Sequence, residues 1–127
     1  MRVENYRFRK LIVWQRAMAL AKEVHRLNKV MKGRDRAILA DQMLRAALSV
    51  PANIAEGNGR YHRADYVRFL SIASGSLAEL ETHLELASQL DLLPPTTLAP
   101  VQSLLNDTAR LLWRLIQSLR ERDASTP

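Results

Sequence analysis

The feature that most constrains this chain lies between residues 66 and 87, where Tyr66, Leu70, Ala73, Leu77, Leu80, Leu84 and Ala87 follow at steps of 4, 3, 4, 3, 4 and 3. Those steps keep all seven side chains on one stripe of an α-helix. A strand turns successive side chains to opposite faces and cannot gather them. So long a stripe must be covered by other helices, which makes it a bundle seam. The remaining apolar residues also recur at three and four, and no segment alternates as a half-buried strand would. The chain is therefore expected to be all-α.

Four helices are expected in one domain spanning 1–127. The first, 10–31, carries Val13, Ala17, Leu20, Val24, Leu27 and Met31 along one side and stops at Gly33. A second, 34–58, carries Ile38, Leu44, Ala47, Leu48, Ile54 and Ala55 and ends in the Gly57-Asn58-Gly59 turn. The seam defines a third, 64–90. Pro94-Pro95 breaks the chain, Thr96 or Thr97 can cap a fourth helix at 97–122, and Pro100 is tolerable in a first turn whose amides lack intrahelical partners. Residues 1–9 form an amino-terminal arm and 123–127 a frayed tail. Short connections between helices of this length argue for an antiparallel up-down four-helix bundle.

At 127 residues one hydrophobic core can close without staples. The absence of cysteine excludes disulfides, zinc thiolates and thiol nucleophiles, and fits a cytoplasmic home. Charges run through the first twenty residues, so no signal peptide is expected. Arg45, Arg68 and Arg114 interrupt the richest apolar stretches, and no membrane span is expected either. The net charge of +6 is polarised: residues 1–68 hold 15 Lys/Arg against 6 Asp/Glu, and residues 69–127 hold 4 against 7. Such asymmetry suits a nucleic-acid or anionic-membrane surface, or serves solubility alone.

Two helices carry more apolar residues than one core needs. Leu111, Leu112 and Trp113 are successive, about 100° apart, and are followed by Leu115 and Ile116. The first helix repeats this with Leu11, Ile12, Val13 and Trp14. Either a few leucines stay exposed, or a second face is buried between subunits; the second reading is preferred.

The segment 45–60 combines a mid-helix proline with a polar stripe. Pro51 removes the hydrogen bond to the Ala47 carbonyl, while Arg45, Ser49, Asn53, Glu56 and Arg60 share one side at helical spacing. Arg68, Gly75 and Glu79 share a side of the third helix, and Gly75 between two serines would permit close backbone approach. Asn53, Glu56, Arg68 and Glu79 form either a polar site or a hydrogen-bonded clasp that sets helix register; the clasp is preferred.

Catalytic chemistry lacks its residues. A carboxylate-bridged metal centre in a bundle needs Glu-x-x-His on two helices, and His25, His62 and His83 have no glutamate three positions upstream. Gly57-Asn58-Gly59 lacks the spacing of a dinucleotide or phosphate loop. No serine has a His/Asp set at a useful spacing. No enzyme, metal or cofactor is expected. Two basic-aromatic clusters remain, Tyr6-Arg7-Phe8-Arg9-Lys10 and Arg60-Tyr61-His62-Arg63, in which a cation can meet phosphate while a ring stacks. Arg7, Arg9, Lys10, Arg60 and Arg63 are the candidate nucleic-acid contacts. Alternatively Phe8, Trp14 and Tyr61 pack the helix ends while the charges stay solvated.

Several segments together resemble a known family, the bacterial four-helix bundle proteins encoded in intervening sequences of 23S ribosomal RNA genes. They are Tyr6-Arg-Phe8 with Leu11-x-Val13-Trp14-Gln15-x-Ala17, Gln42-x-x-Arg45-Ala46, Ser49-Val-Pro51-x-Asn53-Ile-Ala-Glu56-Gly57, and Arg68-Phe-Leu-x-Ile-Ala-x-Gly75-Ser76-Leu-x-Glu79-Leu. The resemblance covers about residues 6–90; the fourth helix follows by apolar pattern alone. It implies the antiparallel four-helix fold and a ring-shaped homo-oligomer, a pentamer. A relative similar in fold, the accessory protein of diversity-generating retroelements, associates with a reverse transcriptase and nucleic acid. Arg45, Ser49, Pro51, Asn53, Glu56, Gly57, Arg68, Gly75 and Glu79 are carried over as motif positions without assigned chemistry. The expected function is non-enzymatic nucleic-acid binding; the alternative is a scaffold for an acidic protein partner.

Overall fold

The computed structural model describes the backbone of residues 3–125 and the side chains of residues 7–122. A 3-10 helix, Val3–Lys10, precedes four α-helices: α1 (Ile12–Val30), α2 (Arg36–Asn58), α3 (Arg63–Gln89) and α4 (Pro95–Ser125). Each helix packs on its neighbours in sequence, α4 returns against α1, and the α2–α3 contact is the most extensive. This is an up-down four-helix bundle. The α1–α2 and α3–α4 connections meet at one end, where the Lys32 amide donates to the Leu92 carbonyl over 3.3 Å.

The stripes expected for α1 and α3 face the core. Val13, Ala17, Leu20, Val24, Leu27 and Met31 are buried, as are Leu70, Ala73, Leu77, Leu80, Leu84 and Ala87. In α2 the inward side is only partly the expected one. Ala47 and Ile54 are buried and Leu44 and Ala55 half-buried as expected, but Ile38 and Leu48 are 70% and 52% exposed, and Met43, Ala46 and Val50 take core positions instead. α2 is apolar around most of its girth, so spacing alone does not choose its inward side.

Helix ends follow backbone chemistry. Residues 3–9 of the expected arm form the 3-10 helix together with Lys10, and its Phe8 ring packs edge-on against Trp14 at 5.1 Å; residues 1–2 of the arm lie outside the described residues. The Gln15 amide donates to the Arg9 carbonyl over 2.9 Å. α4 starts earlier than the threonine caps suggested: Pro94 offers its carbonyl to the Thr97 and Leu98 amides, and Pro95 occupies the first helical position, where its missing N–H costs nothing. Pro100 therefore sits beyond the first turn, and the helix continues through it, as α2 does through Pro51. α4 also passes the expected stop at 122; residues 126–127 of the expected tail lie outside the described residues. α3 ends in a Schellman turn, with Asp91 at φ 56 and the Leu92 amide donating to the Ala87 carbonyl over 2.9 Å.

Candidate nucleic-acid interface

The motif residues divide into groups that sequence spacing had merged. A clasp between α2 and α3 runs from Ser49 to Ser76, and of the expected members Asn53 alone takes part, by bonding Ser49 within α2. The hydroxyls of Ser49 and Ser76 are 2.7 Å apart, and the Asn53 Nδ2 donates to the Ser49 carbonyl at 2.8 Å and its Oγ at 3.0 Å. Ser76 in turn bonds the Ile72 carbonyl. Ser76 was not among the expected members, although its place beside Gly75 on the facing helix was a usable signal. The clasp gives its amide to Ser49 rather than to the Ala47 carbonyl that Pro51 leaves without its usual donor.

The other expected members lie elsewhere. Arg45 pairs with Asp41 at 3.2 Å, and Glu79 lies 3.6 Å from His83, so both stay on their own helices. Glu56 is exposed and pairs with Arg60 at 2.6 Å. Gly75 faces open space: a Cβ added there would meet nothing within 4 Å. The close approach between α2 and α3 occurs instead at Gly57. A Cβ there would stand 2.8 Å from the Phe69 Cβ, 3.0 Å from the Tyr66 ring and 3.2 Å from the Tyr66 carbonyl oxygen. Gly57 is thus a helical packing position rather than a turn residue, and α2 is capped by Gly59.

This separation has a measurable consequence. Asn53→Ala should lower stability by about 1–2 kcal/mol, because it removes the half-buried amide that donates to both the carbonyl and the hydroxyl of Ser49. Glu56→Ala should change it by less than about 1 kcal/mol, as for other exposed ion pairs. Urea melts giving equal losses for the two would contradict the division.

Beside Gly57, Phe69 carries two guanidiniums, with Arg60 4.6 Å and Arg68 4.5 Å from its centroid. Such cation–π contacts hold long side chains in place without consuming all their hydrogen-bond donors. Phe69 stood in the motif segment but had no expected role. Next to it, Tyr66 is held by the Asn58 amide at 3.1 Å. Burial raises the pKa of its hydroxyl above its ordinary value, against the opposing effects of the Asn58 bond and the Arg7 charge.

The packing of the 3-10 helix locates the amino-terminal cluster. The 3-10 helix packs against both α1 and α2. Arg7, Arg9 and Lys10 are therefore at the end of the bundle where α2 passes into α3 through Arg60 and ends in Arg63 of the first α3 turn. Two segments some fifty positions apart in sequence share one pole. α4 finishes at the same pole and adds Arg120 and Arg122; among the residues whose side chains are described, the carboxylates there are Glu56, Asp65 and Glu121, and the segments of the same pole also carry Glu4 and Asp123. Arg7, Arg9, Lys10 and Arg60 are exposed and Arg63 is half-buried. The side chain of Tyr6 lies outside the described ones.

The model of the 23S rRNA-intervening sequence protein family matches residues 9–114. The chain belongs to that family. The match takes in the clasp, Gly57, the Phe69 cluster and Arg63, and it extends beyond the motif segments through most of α4. A solved structure from Bacteroides thetaiotaomicron, of a protein with unknown function from the S23 ribosomal protein family, shares the fold with a TM-score of 0.76. It is 24% identical, over 83% of this chain and 98% of that one. No curated protein matches the chain. Among the described residues no group of three His, Asp or Glu side chains is gathered as a metal site would require, and no helix is long and apolar enough to cross a membrane.

Proposed function

We propose that this family member is a non-enzymatic, homo-oligomeric protein that binds nucleic acid through the basic pole of the bundle. The observation that carries the reading is the convergence of Arg7, Arg9 and Lys10 with Arg60 and Arg63 at one end. Cations gathered on one surface meet phosphates of any sequence, so binding is largely sequence-independent. The exposed Ile12 and Trp113, 59% and 62% accessible, support burial of a further face between copies. In a ring, each copy would present the same pole, and one strand could engage several at once.

The test is a titration with RNA and with DNA at two salt concentrations. Affinity should fall steeply with salt, each neutralised phosphate contributing about −0.9 to the logarithmic slope on duplex DNA and about −0.7 on single strands. Joint replacement of Arg7, Arg9 and Lys10 by glutamine should flatten that slope while leaving helicity and sedimentation unchanged. No binding of either polymer at low salt would remove the reading.

A second reading, a scaffold for an acidic protein partner, draws on a groove of about 400 Å³ between α1 and α2. Met18, Leu44 and Leu48 line it beside Lys22, His25 and Arg26. It is distinguished by binding that survives replacement of Arg7, Arg9 and Lys10 but not of Leu48.

A further inference from the structure

We infer that the α2–α3 turn is a stacking site for an unpaired base, so that the pole takes single-stranded rather than duplex nucleic acid; this rests on the nucleic-acid reading above. The decisive residue is Tyr61. It is 94% exposed, the most exposed of the large apolar side chains among the described residues, and its neighbours Arg60 and His62 are exposed with it. Its ring and the His62 imidazole are 5.3 Å apart and nearly perpendicular, and its exposure leaves ring surface open to a base. A tyrosine that anchored the turn would bury its ring. This one contributes little to the core.

The turn that presents the ring is short and pinned. Only four residues, 59–62, separate α2 from α3. The Gly59 amide donates to the Ala55 carbonyl, the Arg60 amide to that of Gly57, and the Tyr66 amide to that of His62. A ring on a held backbone stacks at a smaller entropic cost than one on a loose loop. Cations flank it on both sides in sequence: Arg60 is placed by Phe69 and Glu56, and Arg63 opens α3. Phosphate contacts beside an open aromatic face are the two parts of a single-strand binding surface.

Duplex nucleic acid does not offer the complementary face. Its bases are stacked on one another, and reaching between them requires unstacking at a cost of a few kcal/mol per step. Nothing at the turn resembles the apolar wedges that exploit such a kink. An unpaired base presents both faces freely. The shared chemistry is a base plus phosphodiester, in RNA or DNA.

The experiment uses the full chain and labelled polyuridylate and polythymidylate, each alone and as a duplex with its complement, followed by fluorescence anisotropy. The wild-type protein should bind the single strands more tightly than the duplexes. Tyr61→Ala should weaken single-strand binding roughly tenfold for one stacked base. Duplex binding and circular dichroism should not change, and Tyr61→Phe should retain single-strand affinity. Tighter binding of the RNA or of the DNA single strand, or equal binding of both, supports the site and identifies its source. Equal single-strand affinity for Tyr61→Ala and wild type, or a wild-type preference for duplex, overturns the stacking site while leaving a basic phosphate-binding pole. Absence of binding to all four polymers overturns both readings.

Discussion

Replacing Gly57 by valine should destabilise the protein by about 3 kcal/mol, whereas replacing Gly75 by alanine should stabilise it by about 1 kcal/mol. Both glycines lie inside helices, where any added side chain restricts the unfolded backbone and favours the helix. At Gly75 nothing opposes that gain, because an added Cβ meets no atom within 4 Å. At Gly57 the added carbon would press on the Cβ of Phe69 at 2.8 Å and on the Tyr66 carbonyl oxygen at 3.2 Å. Neither is the free end of a flexible side chain, so α2 and α3 would have to part. The gap would also displace the ring that carries Arg60 and Arg68. Chemical denaturation of the two variants settles the matter; a stabilised Gly57→Val would mean that the helices separate freely there.

The second large effect distinguishes neighbours in the apolar run of α4. Leu112→Ala should cost about 2–5 kcal/mol, since it empties space in a packed core. Leu112 is 1% exposed and belongs to the central cluster with Val101, Leu105, Ile116 and Leu119. Trp113→Ala should cost less than about 1 kcal/mol in dilute protein despite removing a far larger side chain, because the indole is 62% exposed. Thermal melts compare the two directly. A greater loss at Trp113 would place it inside a contact that the single chain does not make.

The parts of the fold legible in the sequence were those with a long, unambiguous period. The 4-3 steps from Tyr66 to Ala87 define the inward face of α3, and the stripe from Val13 to Met31 does the same for α1. Both keep one period along the whole helix, so a single rotation buries them even though Ile12 and Val30 on α1 and Ile72 and Leu86 on α3 stay exposed. Their number and the short breaks between them suffice for a four-helix fold. Motif segments carried the family resemblance for the same reason: sparse polar residues at fixed helical spacing are informative even before their contacts are known.

Where apolar or polar residues surround a helix, the period loses its power to choose. α2 offered Ile38 and Leu48 as readily as Met43 and Val50, and only packing against both α1 and α3 selects the latter pair. The polar stripe from Arg45 to Arg60 likewise looked continuous, yet Arg45 and Glu56 pair along their own chain segment while Ser49 bonds Ser76 across the interface, and Asn53 reaches only Ser49 beside it. Which glycine marks the close approach depends on the rotation of two helices at once, a property of neither sequence alone. The basic pole has the same origin. Local sequence determined two basic-aromatic clusters, but antiparallel chain reversal brought them together, because a bundle joined by short turns returns its first helix start and its second connection to the same end.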